Sequence, residues 1–114
     1  MGQDCTFCRI LGGEVPSEVI YRDDQAFVVR DINPRAPVHL LVIPVRHFVL
    51  ADDLHADWEP MLGHLLTVGR EMARREGIAA SGYRLAVNQG DHASQTVDHL
   101  HVHVLGGGRL GPEG

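Results

Sequence analysis

No apolar run in this 114-residue chain approaches the roughly 20 residues that a membrane-crossing helix needs, so a spanning segment is excluded. The start, MGQDCTFCRILGGEVPSEV, lacks a basic segment followed by a long apolar block. A secretory signal is therefore not expected, and the default compartment is the cytoplasm. Repeats, low-complexity blocks and linker-like stretches are also missing, which leaves one domain over residues 1–114 as the expectation. A basic surplus is absent: 10 Lys and Arg against 15 Asp and Glu give a net charge of −5. That balance excludes a general nucleic-acid binder, which carries a basic face. An anionic ligand would have to be met locally, by backbone N–H groups, amides, hydroxyls and histidines. Cysteine is scarce, with only Cys5 and Cys8, in C-T-F-C. A lone C-x-x-C fits a redox pair, half a zinc site or two free thiols. The redox reading wants the motif between a strand and a helix, and no strand precedes it here. The metal reading needs two more ligands, and eight histidines supply candidates, so zinc and no metal both stay open.

What the chain does have is DHLHVHVLGGG, Asp98 to Gly108, where His99, His101 and His103 alternate with Leu100, Val102 and Val104. Alternation with period two is the pattern of a strand with one buried face. Leu100, Val102 and Val104 are then core residues, and the three histidines stand on the opposite face. A solvated strand face is the plain alternative. Thr, Lys or Glu would solvate a strand equally well, however, so three imidazoles in register read as a functional row. At about 3.3 Å per residue, His99 and His103 stand roughly 13 Å apart, too far to converge on one metal ion. A division of labour follows, in which one imidazole holds, one reacts and one assists.

Along the rest of the chain, Asp4 is placed to cap a short helix through Leu11, closed by Gly12 and Gly13. Val19 to Tyr21 and Ala26 to Ile32 read as strands around a turn at Arg22-Asp23-Asp24. DINPRAP, Asp31 to Pro37, is a loop, and His39 to Val45 is an apolar strand with Pro44 marking its end or an edge. From Asp57 to Glu76, Trp58, Leu62, Leu65, Val68 and Met72 form one apolar stripe, the mark of a long amphipathic helix. Pro60 suits its first turn, Arg74 and Arg75 its last, and Gly77 stops it. Gly63 and Gly69 lower its propensity, so packing must hold it. His55 and His64 read as surface or boundary residues. Tyr83 to Asn88 is a further strand, Gly90 to Gln95 a polar loop and Val97 to Leu105 the histidine strand. Short turns and one long helix predict the α+β class, an antiparallel sheet covered on one face.

The run His99-Leu100-His101-Val102-His103-Val104-Leu105 resembles the signature of the histidine triad (HIT) superfamily of nucleotide hydrolases and transferases. CTFCRILGGEVPSEVIYRDD, DINPRAPVHLLVIPVRHF and NQGDHASQTVDHLHVHVLGG extend the resemblance, in order, to the Hint-type branch, mainly purine nucleoside phosphoramidases. The resemblance implies a HIT-like sheet with one long and one short helix. It also implies that His101 attacks the α-phosphorus of a nucleoside 5′-phosphoramidate, giving a nucleotidyl-histidine that water opens to the nucleoside monophosphate. Neutral imidazole is a competent nucleophile for such a two-step route near pH 7. His103 would donate to phosphate oxygens, and His39 would support it. Asn88, Gln95 and Thr96 match positions that contact the ribose-phosphate or leaving group, with Thr96 where many relatives have Ser. Asp31 matches a ribose-hydroxyl acceptor, and Phe7, Val29 and Ile32 match the pocket around a purine base. Core packing alone would also account for those three, and loop hydrogen bonding for Asn88 and Gln95.

For the C-x-x-C motif, the resemblance implies a structural zinc held by Cys5, Cys8, His47 and His99, as in some HIT proteins and the related galactose-1-phosphate uridylyltransferases. A closed Cys2His2 shell would staple the N-terminal segment to the sheet without activating water. A homodimer is likewise implied, with no nucleic-acid or membrane partner and no organic cofactor. Two departures stand out. The tail GGRLGPEG has no aromatic residue where many Hint-type chains do, and Asp98 stands where many have an aromatic. Other HIT branches cleave dinucleoside polyphosphates, and a nucleotide-binding module with little catalysis is the remaining alternative.

Overall fold

A computed structural model describes residues 5–47, 49 and 58–113. Its elements, in chain order, are α1 (Thr6–Leu11), β1 (Val19–Arg22), β2 (Ala26–Arg30), β3 (Val38–Pro44), α2 (Trp58–Arg75), β4 (Tyr83–Ala86), one 3-10 turn at Asp91–Ala93 and β5 (Val102–Gly106). Every neighbouring pair of strands is antiparallel, in the order β1-β2-β3-β5-β4. This is the expected α+β architecture. Among the described residues no helix is long and apolar enough to cross a membrane.

The alternation of side chains along β2, β3 and β5 gives the sheet two buried faces. On one, Val28, Leu40, Val42, Val102 and Val104 meet Leu65, Val68, Met72 and Ala73 of α2. Gly69 lets that helix come close, since a Cβ there would sit 3.1 Å from Leu85 Cδ2 and 3.5 Å from Val104 Cγ2. The propensity given up at Gly69 therefore has a packing cause, whereas a Cβ at Gly63 would meet nothing within 4 Å. On the other face, Phe27, Val29, Leu41 and Ile43 are buried with Phe7 of α1, and Ile10 and Leu11 pack against them. The expectation of a sheet covered on one face is thus corrected. The short α1 covers part of the second face, and its single buried residue, Phe7, does most of that work.

Element ends differ from the sequence reading for local reasons. Cys5 occupies the α1 N-cap position with no side-chain cap bond, and Asp4, the expected cap, lies outside the described residues. Strand β2 stops at Arg30 because the Asp31 N–H makes the last cross-strand bond, to the His39 carbonyl, and Asp31 Oδ1 then turns the chain by accepting the Asn33 N–H. Pro44 ends β3 rather than lying on a sheet edge, since β3 is central. Strand β4 stops at Ala86, short of Asn88. His55, Asp57 and the side chain of Trp58 are outside the described residues, while His64 is a boundary residue whose Nε2–H donates to Asp23 Oδ2 at 2.8 Å.

Candidate active site

The histidine row is not a continuous strand face. Only His103 lies in β5, while His99 and His101 sit in irregular chain before it. The cause is Pro44. Strand β3 pairs with β5 from Val38↔Gly106 to Val42↔Val102, and beyond that Pro44 has no N–H to extend the ladder. Its carbonyl is taken instead by the His99 side chain, with Nε2 at 3.0 Å. None of the row is solvated: His99, His101 and His103 are 1%, 6% and 6% exposed, and His39 of β3 is buried with them at 3%.

Register brings His39 and His103 together. His39 stands opposite Leu105 and His103 opposite Leu41, so the two histidines are diagonal neighbours on one face. Their nitrogens, His39 Nε2 and His103 Nδ1, are 2.9 Å apart. The Arg35 N–H reaches His39 Nδ1 at 3.1 Å, which makes that nitrogen an acceptor and puts the proton on Nε2. His39 then donates to His103 Nδ1, which puts the His103 proton on Nε2; that N–H is left for a ligand, since Asn88 Nδ2, 3.4 Å away, is itself a donor and does not accept it. Asp31 Oδ2 approaches His39 Nε2 at 3.4 Å. Asp31, His39 and His103 offer ligand atoms within 4.8 Å of one another. With both His39 nitrogens committed, the trio is a hydrogen-bond relay and not a metal site.

His101 is fixed by a different bond. Its Nδ1 lies 2.7 Å from the His99 carbonyl, which only accepts, so Nδ1 carries the proton and Nε2 keeps a lone pair. The Phe7 ring meets the His101 imidazole edge-on with centroids 4.9 Å apart, and the His103 ring lies 5.0 Å away. Burial pushes the His101 pKa down against the pull of the carbonyl bond. It also pushes His103 down to about 4, helped by the nearby His101, His39 and Arg35 charges, and lowers His39. These imidazoles are held neutral around pH 7.

Two adjoining cavities, about 420 Å³ and 250 Å³, share a wall of Asp31, Asn33, Arg35, Thr96, His101 and His103. The larger, the more polar in its residues, adds the side chains of Asn88, Ser94 and Gln95. The smaller is apolar, with Phe7, Val29, Ile32 and Leu41. Every residue expected at a catalytic or nucleotide site lines one of these cavities except His39, which stands behind His103. Phe7 and Val29 also belong to the core, but Ile32 is 84% exposed, so core packing does not explain it. Gln95 shapes the loop as well as the wall: Oε1 accepts the Gly90 N–H at 2.7 Å and Nε2 donates to the Val97 carbonyl at 3.2 Å. Sequence reasoning missed Asn33, Arg35 and Ser94. The signal for Arg35 was a lone cation in DINPRAP between Asp31 and His39, and for Asn33 the Asp-x-Asn turn. Ser94 gave none, since only its left-handed φ of 62° places it.

Beside the cavities, Cys5, Cys8, His47 and His99 present ligand atoms within 4.8 Å of one another. Cys5 Sγ is 3.2 Å and Cys8 Sγ 3.7 Å from His99 Nδ1, and Cys8 Sγ is 3.4 Å from His47 Nδ1. Tetrahedral zinc with bonds of about 2.0–2.3 Å separates its donors by roughly 3.3–3.8 Å, so the spacing fits. The bond from His99 Nε2–H to Pro44 leaves Nδ1 free to ligate, the outer-shell arrangement that metal-binding histidines need. Burial and the neighbouring Cys5 push the Cys8 thiol up to about 11, which a cation would offset. These four residues are placed to bind a metal ion.

Comparison with known proteins agrees with this geometry. The HIT domain model matches residues 12–110. The purine nucleoside phosphoramidase of Escherichia coli (strain K12) is 43% identical over 112 residues, covering 98% of this chain and 94% of that protein. A HIT family hydrolase from Clostridium thermocellum superposes with a TM-score of 0.90 at 40% identity, covering 97% of this chain and 96% of its own. A zinc-bound histidine triad family protein from Mycobacterium smegmatis gives a TM-score of 0.79 at 34% identity, covering 93% and 76%. The chain therefore belongs to the HIT domain family. It is a hydrolase of that family, with the likeness to a phosphoramidase running over nearly its full length.

Proposed function

We propose that the protein hydrolyses nucleoside 5′-phosphoramidates through a covalent nucleotidyl-His101. The observation that carries this reading is the bond from His101 Nδ1–H to the His99 carbonyl, which leaves the Nε2 lone pair on a ring that lines both cavities. The base enters the apolar cavity against Phe7, Val29 and Ile32, and Asp31 accepts from the ribose hydroxyls. The phosphoryl group lies at the shared wall. Nε2 attacks phosphorus, the P–N bond breaks, and the amine leaves with its electron pair and a proton taken from water. The His99 carbonyl stabilises the positive imidazole that results. His103 Nε2–H, held by His39, donates to the phosphoryl oxygens, with Asn88, Gln95 and Thr96 completing the donors. Water then attacks phosphorus, the P–Nε2 bond breaks, and nucleoside monophosphate departs.

Steady-state release of amine and AMP from an adenosine 5′-phosphoramidate tests this. Wild type should turn over, with kcat reduced at least about 10³-fold in His101→Ala. Equal turnover by both proteins, or a higher kcat/KM for dinucleoside polyphosphates, would overturn the proposal.

Zinc is the metal proposed for Cys5, Cys8, His47 and His99, a closed shell whose chemistry is structural. A reducing cytoplasm suits its free thiols. A homodimer is proposed along β4, whose outer edge has no partner strand among the described residues and borders a cavity of about 960 Å³. A monomer at micromolar concentration in sedimentation would refute it.

A further inference from the structure

Two arginines line the paired cavities, Arg30 and Arg35, and they differ in what holds them. Arg30 is neutralised: its guanidinium forks onto Glu76 with two contacts of 3.0 Å and lies 3.6 Å from Glu18. Arg35 forms no ion pair among the described residues, yet it stands in the wall that both cavities share with His101 and His103. In the larger cavity it is the one arginine or lysine among the lining residues, which include a single carboxylate, Asp31.

The loop that carries Arg35 is stiff. Pro34 and Pro37 restrict its backbone, and Asp31 Oδ1 closes a turn on the Asn33 N–H. The Arg35 N–H is anchored on His39 Nδ1 at 3.1 Å. Pro37 is seated against Gly107, where a Cβ would come within 3.1 Å of the proline Cβ. Electrostatics agrees with this placement. Burial lowers the His39 and His103 pKa values most, and the nearby Arg35 charge adds to the lowering of both.

We infer that Arg35 is a further substrate-binding residue, whose guanidinium pairs with the anionic phosphoryl group of the nucleotide. This rests on the reading of the cavities as a nucleoside phosphate site. The row that gives the family its signature supplies neutral donors, and a formal positive charge beside them would hold a phosphoryl anion in the cleft more tightly than neutral donors alone. A forked guanidinium supplies that charge with geometry matched to two phosphoryl oxygens.

Calorimetric binding of AMP and of adenosine to wild type, Arg35→Gln and Arg35→Lys tests the inference without requiring turnover. The Arg35 side chain is exposed and its backbone bond to His39 survives either substitution, so both variants should fold, which circular dichroism checks. Arg35→Gln should weaken AMP by roughly 10- to 100-fold, the loss of a charge-assisted hydrogen-bonded contact, while adenosine affinity stays within about twofold. Arg35→Lys should retain part of the AMP affinity, and added salt should weaken AMP more in wild type than in Arg35→Gln. AMP affinity unchanged by Arg35→Gln, or AMP and adenosine weakened equally, would overturn the role of Arg35 and leave the site reading standing. Wild type that binds neither ligand would overturn both.

Discussion

His101 donates its Nδ1–H to the His99 carbonyl, and His39 takes the Arg35 N–H on Nδ1 and passes its own proton toward His103. Each imidazole thus has one nitrogen bound to a backbone group or a neighbouring ring, which decides what the other nitrogen can do. The sequence announced which residue types would gather but not these tautomers, because a tautomer depends on a backbone carbonyl or N–H brought up by folding. Arg35 shows the same limit, since a lone arginine in a loop has no periodicity. Away from the cavities, Asp23 makes a sharper case of residue-scale energetics. Burial pushes its carboxyl up, but bonds from the Tyr21 hydroxyl, the Gln25 and Ala26 N–H groups and His64 win and hold it at about 2. A carboxyl depressed in the folded state stabilises the protein above its unfolded value, near 3.8, and that contribution is lost as pH falls toward 2. Discounted for the quarter of the side chain that is exposed, it is worth about 1–2 kcal/mol. Denaturant melts of wild type and Asp23→Asn should therefore differ at pH 6, with the difference shrinking below about pH 4 and closing only below about pH 2. A difference independent of pH would contradict this.

The elements were legible where a pattern repeats. The α2 stripe appears as read at Leu62, Leu65, Val68 and Met72, and β3 is the apolar strand expected. The histidine segment does not, because its period-two pattern continues through residues that have no strand to pair with once Pro44 is reached. That break has a consequence for α1, a six-residue helix with no side-chain cap and one buried residue. So short a helix is not stable by itself in water. Its support comes from Phe7 on the sheet and, in the proposed metal centre, from Cys5 and Cys8 bound to His99 and His47. Elemental analysis of protein purified without added metal should give about one zinc per chain, lost in Cys5→Ser. Chelation should lower the melting temperature and increase amide exchange in residues 5–11 ahead of the α2 core. Metal-free protein with the same melting temperature and the same exchange pattern would contradict the staple.

At the scale of the whole molecule, the sheet separates two tasks. One face, under α2, is an apolar core. The other carries the histidine relay, the cavities and the Cys2His2 cluster within one layer, so the residues that hold α1 in place and the residue that would react are neighbours in the chain, His99 and His101. The expectation of a sheet with one free face missed this, because α1 is too short to show a hydrophobic period and its covering role rests on Phe7. The β4 edge lies at the far side of the same sheet, and Asn88, just beyond its end, joins that edge to the polar cavity. The central claim is that His101 Nε2 bonds to phosphorus during turnover. Rapid quenching of wild type with an adenosine 5′-phosphoramidate, followed by peptide mass spectrometry, addresses it directly. The account predicts one AMP moiety on the peptide holding His101, on that imidazole alone, labile to acid and absent in His101→Ala. Turnover with no adduct at any quench time, or an adduct on His99 or His103 instead, would contradict it.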